Sequence, residues 1–330
     1  MKNNMPPNWQ PPAPAWQAQW ADHQDLRVAY FAIQADQPDL LESWCKEYFE
    51  LNDDPQCPRP LLLERGHFLD TVAQSNFLII SYWREDDYQR WWANAHVSWY
   101  EMAQGNNIGF WRETLCLPLD NFETLLSSPD VHGIASCSDS LEGPILEHGY
   151  PGGMRDRIKS CTLKDVRSNT KPAAVLNSEQ SIIRIVAPEN LCMIRSGQDW
   201  GHCDVDQARD YLENVHPVLQ VGMNYLRDKG DECDCYSMRL VDVLDDSWGK
   251  TKQTFGLGFA KDIFVFENWA KNHPTHLDIF GKFMTMAERY GENLQLQLWH
   301  EVALCSGSAG EFEYIQCHAK TGILPFAHYE

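Results

Sequence analysis

Positive charge is scarce in this sequence: 27 Lys and Arg stand against 47 Asp and Glu, a net charge of −20. Such an acidic surface repels the phosphate backbone of nucleic acids and anionic lipid headgroups, so neither is expected as a partner. Long apolar runs are missing too. None approaches the roughly 20 residues that span a bilayer, and no membrane association is expected. The first residues, "MKNNMPPNWQPPAPAWQAQW", are rich in proline and carry no apolar stretch of the signal-peptide kind. Residues 1–24 read as an ordered or semi-ordered arm. The 11 cysteines include no Cys-x-x-Cys pair, and Cys233 with Cys235 forms only Cys-x-Cys, too little for a zinc site. An odd, scattered set reads as reduced thiols in the cytoplasm. Also absent are G-x-G-x-x-G, the Walker A loop and the G-x-S-x-G elbow. Nucleotide-dependent and α/β-hydrolase chemistry lose their usual support.

What is present is a chain of 330 residues, room for about two domains or one domain of two similar halves. Hydrophobic residues at 43% and charged residues at 22% fit a soluble globular protein. The 13 Trp, 14 Phe and 12 Tyr can fill a core or line a pocket for a large flat ligand.

Two stretches share one layout. The first runs from a strand, "LRVAYFAIQA" (26–35), through an acidic helix to the strand "NFLIISYW" (76–83) and the helix "DDYQRWWANAHVSWYEMAQ" (86–104). The second begins with "SIIRIVAPENLCMIRSG" (181–197), strand-like around a Pro-Glu-Asn turn. A helix over 204–230, strands near 235–244 and 254–260, a helical region over 262–289 and a strand over 294–305 follow. The later helices superpose: Trp92-Ala93 on Trp269-Ala270, His96 on His273, and Trp99 on His276. This predicts an α+β fold of duplicated ferredoxin-like β-α-β halves, an antiparallel sheet with surrounding helices. The first half spans 25–150 and the second 151–330. Between them, 114–180 shows little periodicity.

The second half carries the chemistry-bearing residues. In "NWAKNHPTHLDIF" Pro274 suits the first turn of a helix, where its missing N–H costs nothing. That places His276 near the positive end of the helix dipole, which favours neutral imidazole, the metal-binding form. A helix-start histidine packed on a neighbour fits the spacing as well. In "LQLQLWHEVAL" (294–304) alternation puts Leu294, Leu296, Leu298, His300, Val302 and Leu304 on one face, and Gln295, Gln297, Trp299 and Glu301 on the other. His300 then lies on an apolar face and needs a hydrogen-bond partner, as a reactive group or a satisfied core histidine. Ser196 shares a face with Cys192 and Ile194. Arg155, Asp156 and Arg157 follow two glycines and read equally well as a surface salt-bridge cluster.

Together, "GFWRET" (109–114), "NFETL" (121–125), "EHGYPGGMRDRI" (147–158), "NLCMIRSGQDW" (190–200), "HPTHLDIF" (273–280), "LWHEV" (298–302) and "YIQCHAKTGILP" (314–325) resemble the heme-containing aldoxime dehydratases over nearly the whole chain. The resemblance implies conversion of an aldoxime, R–CH=N–OH, to a nitrile and water. It also implies non-covalent protoheme (heme b) and substrate nitrogen bound to ferrous iron. On the matching positions, His276 is implied as the axial iron ligand and His300 as the distal acid–base group. Ser196 and Arg157 are implied on the distal side, with Glu123 orienting His300. A homodimer is implied as well. Pro151 stands where the family has an aromatic residue, which is expected to reshape the pocket; Ala319 replaces the usual proline after Cys-His. The alternatives are a ferredoxin-like heme peroxidase or chlorite-splitting enzyme, and a heme carrier without catalysis, which would need no polar distal set.

Overall fold

The computed structural model describes residues 4–21, 24–47, 57–177, 182–305, 307 and 310–329. Residues 1–3 and 22–23 of the expected arm, and Ser181 at the start of an expected strand, lie outside these. The strands in chain order are β1 (Gln17–Gln19), β2 (Leu26–Gln34), β3 (Leu62–Leu69), β4 (Ser75–Arg84), β5 (Gly109–Leu117), β6 (Phe122–Leu126), β7 (Ser140–Glu142) and β8 (Ala173–Asn177). The rest are β9 (Ile182–Val186), β10 (Leu191–Asp199), β11 (Cys235–Leu244), β12 (Lys250–Ala260), β13 (Gln297–Cys305), β14 (Gly310–Ile315) and β15 (His328–Tyr329). Thirteen of them form one sheet, ordered β15-β8-β9-β14-β5-β2-β4-β3-β11-β12-β10-β13-β6, while β1 pairs with β7 apart.

The duplication is visible in that order. The first repeat is β2, helix α1 (Asp39–Cys45), β3, β4, helix α2 (Glu85–Gly105) and β5, arranged β5-β2-β4-β3. Short helices α3 (Gly153–Arg157) and α4 (Lys159–Leu163) lie between the repeats. The second starts with β10 and a helical run: α5 (Val205–Asp210), one π-helical turn (Tyr211–Val215), α6 (His216–Asp228) and α7 (Gly230–Cys233). β11, β12, α8 (Ile263–Asn272), α9 (Pro274–Tyr290) and β13 complete it, arranged β13-β10-β12-β11. Each is the ferredoxin-like β-α-β-β-α-β unit, and the two meet at β3 and β11. Each repeat's last strand also leads into one that extends the other: β6 pairs with β13, and β14 with β5.

β2 is central, flanked by β4 and β5, and all nine of its residues are buried, which is why it reads as an unbroken apolar run. On α2 the buried residues are Tyr88, Trp91, Ala95, Trp99 and Ala103, the spacing of one helical face. They pack with Phe31, Trp44 and Phe110 and fill the space between helices and sheet in the first repeat. Trp99 sits 5.2 Å from Phe31 and 5.0 Å from Trp44, ring to ring.

Several elements depart from expectation. The acidic helix after β2 is only seven residues where described, and β3 was not anticipated. Residues 294–296 precede β13 rather than begin it. The helical region 262–289 breaks at His273, where φ is −85° and ψ 132°. The aperiodic middle supplies β6, and α3 with α4, around the functional cavity.

Candidate functional site

The space that tryptophans fill in the first repeat is a cavity of about 560 Å³ in the second. Its floor is the sheet face on which Gly256 of β12, Ser196 of β10, His300 of β13 and Leu125 of β6 are cross-strand neighbours in one row. Two residues along, the same face presents Ile194, Val302 and Glu123, also in register. Glu123 is therefore diagonal to His300, within reach of its ring. The walls come from α6, α8, α9 and the 149–157 segment.

Three polar side chains meet on this floor. His300 Nε2 lies 3.0 Å from Glu123 Oε1 and 3.1 Å from Arg157 Nη2. Arg157 donates to both carboxylate oxygens, Nε to Oε2 at 2.8 Å and Nη2 to Oε1 at 2.9 Å, and Nη1 donates to the Glu147 carbonyl. The Glu123 side chain is 0% exposed and that of Arg157 3%, against 20% for His300. Burial alone would raise the Glu123 pKa, but the Arg157 guanidinium and then His300 reverse this and hold it at about 2. Glu123 is thus a permanent anion facing the imidazole. Either state of Nε2 finds a partner: a protonated nitrogen donates to Glu123, a bare one accepts from Arg157.

The 147–158 segment is fixed by ties in three directions. Gly152 has φ of 96°, a left-handed turn that glycine adopts without strain, and α3 starts there. Arg155 Nε donates to both Glu267 oxygens of α8, at 3.0 and 2.9 Å. Asp156 accepts from the backbone N–H of Asn4 at 2.9 Å and from the Tyr150 hydroxyl at 2.9 Å. Trp9 stacks edge-on against Tyr150, and its Nε1 donates to the His148 carbonyl at 2.9 Å. The described part of the N-terminal arm therefore lies ordered over this loop. Arg155 and Asp156 reach α8 and the N-terminal arm, sharing Asn4, while Arg157 turns to Glu123, so the three do not form a surface cluster of their own.

On the helical side, His273 caps α9: its Nδ1 accepts from the Thr275 N–H at 3.4 Å, and its ring stacks 3.8 Å from Tyr225. Pro274 follows as the first helical residue and His276 is the third. The His276 ring meets Trp269 edge-on at 4.7 Å. Burial lowers its pKa, with the Ala270 backbone opposing weakly, so imidazole is the favoured form. Its buried Nδ1 has no hydrogen-bond partner among the described residues. α9 buries only Met286, while Leu277, Ile279, Phe280 and Phe283 border the cavity.

A neutral histidine lining the cavity, an apolar helix face and a cavity floor kept open by Gly256 suit a flat apolar ligand bearing a metal. Residues 29–323 match the family described as Haem-containing dehydratase. The chain belongs to the heme-containing dehydratases. It is 32% identical to the aliphatic aldoxime dehydratase of Pseudomonas chlororaphis, covering 98% of this chain and 94% of that protein. It is 29% identical, with the same coverage, to the phenylacetaldoxime dehydratase of Bacillus sp. (strain OxB-1). A crystal structure of an aldoxime dehydratase in complex with butyraldoxime superposes with a TM-score of 0.91 at 28% identity, over 100% of this chain and 94% of that one.

The structure brings Glu123, Arg157, Ser196 and His300 to one floor, and His276 to a wall of the same cavity. Among the described residues the Ser196 hydroxyl has no hydrogen-bond partner, while its carbonyl accepts from Gln198 at 3.1 Å. Arg157 has its donors committed to Glu123, Glu147 and His300, so it acts on the cavity through them. Sequence reasoning missed Gly256, Gly258, Met223 and Met238. The alternating glycines of "TFGLGFA" were a signal, since glycines two apart in a strand leave one face without side chains.

Proposed function

We propose that this dehydratase converts an aldoxime to the nitrile and water, with His276 as the residue that holds the heme iron. The observation that carries the reading is the Glu123–Arg157–His300 cluster one strand from Ser196, on the floor of the cavity that His276 walls. Bound ferrous heme supplies a Lewis acid that draws electron density from the substrate nitrogen.

The chain's own residues handle the protons. Ser196 hydrogen-bonds the oxime oxygen and orients the N–O bond. The difficult event is departure of hydroxide from nitrogen, and proton donation from His300 lets the oxygen leave as water. With Nε2 tied to Glu123, Nδ1 is the nitrogen that gives the proton and then takes the hydrogen released from carbon. One proton is delivered and one collected, so the histidine returns to its starting state without net oxidation. Glu123, ionised throughout, stabilises the imidazolium, and Arg157 keeps Glu123 ionised and in place.

A peroxidase or chlorite-splitting activity, or simple heme carriage, is less favoured, because aldoxime dehydratases match along almost the whole chain. Both butyraldoxime and phenylacetaldoxime are reasonable first substrates, given what those relatives and structures act on or bind. All 11 cysteines are free, which suits the reducing cytoplasm, and a homodimer is the assembly we propose from the resemblance. The deciding experiment is nitrile formation, followed by gas chromatography, from either aldoxime with reduced heme-loaded protein. Peroxide turnover without nitrile would overturn the reading.

A further inference from the structure

Where the two four-stranded units abut, β3 and β11 pair through three described residue pairs: His67 with Asp242, Gly66 with Val243 and Arg65 with Leu244. Beyond these the strands part. Residues 235–241 of β11 keep β12 on one side and have no described strand on the other. Backbone groups along that side need water or a ligand as partner. The gap is a second cavity, of about 450 Å³, walled by polar residues that include Gln34, Asp70, Asn224 and Thr321. The segment "YIQCHAKTGILP", for which the heme cavity has no use, closes one side of it. Gln34 Nε2 donates to Thr321 Oγ1 at 2.9 Å, and His318 Nε2 lies 2.8 Å from Asp70 Oδ2.

The inner end of this gap abuts the heme cavity. Met223 of α6 and Met238 of β11 line both cavities, and no other described residue does. Their side chains occupy space that β12 leaves empty. A Cβ on Gly256 would lie 2.8 Å from Met223 Sδ and 3.7 Å from Met238 Sδ, and one on Gly258 would lie 2.5 Å from Met238 Cε. Gly256 is the cross-strand neighbour of Ser196, so the two thioethers close the gap beside that residue. Methionine is unbranched and flexible, and a rotamer change needs no backbone movement.

We propose that the gap is a second, polar passage into the heme cavity, gated by Met223 and Met238, through which the water formed in dehydration leaves. What travels rests on the dehydration reading; the passage itself rests on geometry. An apolar substrate can enter along α9, past Leu277 and Phe280, which are 49% and 51% exposed, without sharing a route with water.

Carbon monoxide binding to reduced heme-loaded protein reads the gate directly, by stopped-flow absorbance. Met223→Ala and Met238→Ala are expected to speed association several-fold. Asn224→Trp, on the exposed outer wall, is expected to slow it several-fold with the heme spectrum unchanged. Association at the parent rate in all three overturns the passage. A second measurement needs no heme signal: with chloramine T as oxidant, Met223 and Met238 should become sulfoxides before Met193 and Met286, which are each 1% exposed. Equal rates for the four also overturn it. A parent that binds heme and carbon monoxide but makes no nitrile removes the dehydration reading and leaves the passage standing.

Discussion

Arg157 and Glu123 form a two-pronged ion pair, 2.8 and 2.9 Å, in which neither side chain is more than 3% exposed. Buried pairs of this kind are costly to break from one side, because the remaining charge is stranded in low dielectric. Arg157→Ala should destabilise the protein by about 3–5 kcal/mol. The double variant Arg157→Met with Glu123→Gln should lose less, since it strands no charge. Calorimetric melting of both separates the cases; equal losses would show that packing, not charge, dominates.

His276→Ala should purify with little or no heme, whereas His273→Ala should retain it. The His273 change removes an N-cap that accepts from Thr275, a loss of about 1 kcal/mol, but no iron ligand. The absorption spectrum decides. Normal heme content in the His276 variant would end its assignment.

His300→Ala should fold, bind heme and still give an aldoxime-dependent spectral change, yet lose turnover by about 10²–10⁴-fold, the usual worth of a general acid–base group. Ser196→Ala should cost about 10²-fold, as for loss of one positioned donor. Nitrile release at close to the parent rate in either variant returns that residue to a packing role.

Acid should act through Glu123 in one direction. Its folded pKa, about 2, lies below the ordinary glutamate value of 4.5, so its stabilising contribution is full above 4.5 and is lost as pH falls toward 2. Urea unfolding at pH 6 and pH 3 should show the parent losing more stability than Glu123→Gln over that interval. His276 works in the same sense at higher pH: burial lowers its pKa from 6.5, so retention of heme through pH 6.5 and release on further acidification is expected.

The helix face of α2 was readable because every buried residue falls at helical spacing and is aromatic or small. β3 was not. In "LLERGHFL" Arg65 is buried and Glu64 accepts from Arg195 of β10 at 2.6 Å, so charged groups occupy positions that alternation would leave to apolar ones. Polar side chains facing the space between the repeats erase the pattern. His300 stood out because it interrupts an apolar face, but its partners come from positions 123 and 157, in an aperiodic stretch. Spacing could not have joined them. Only the resemblance named Glu123 and Arg157 together, and only the sheet register explains how a strand at 122–126 comes to lie beside one at 297–305.

The exchanged strand β6 gives the duplication a reason to persist. The first repeat has closed its own cavity with tryptophans, yet it ends in a segment that crosses to the other repeat and delivers Glu123 beside His300. A fragment starting at residue 151 would keep His276, Ser196, Arg157 and His300 but lack the anion that pairs with Arg157 and faces His300. The half whose helix–sheet space is filled supplies Glu123 to the half whose space is open, so neither half assembles the cluster alone.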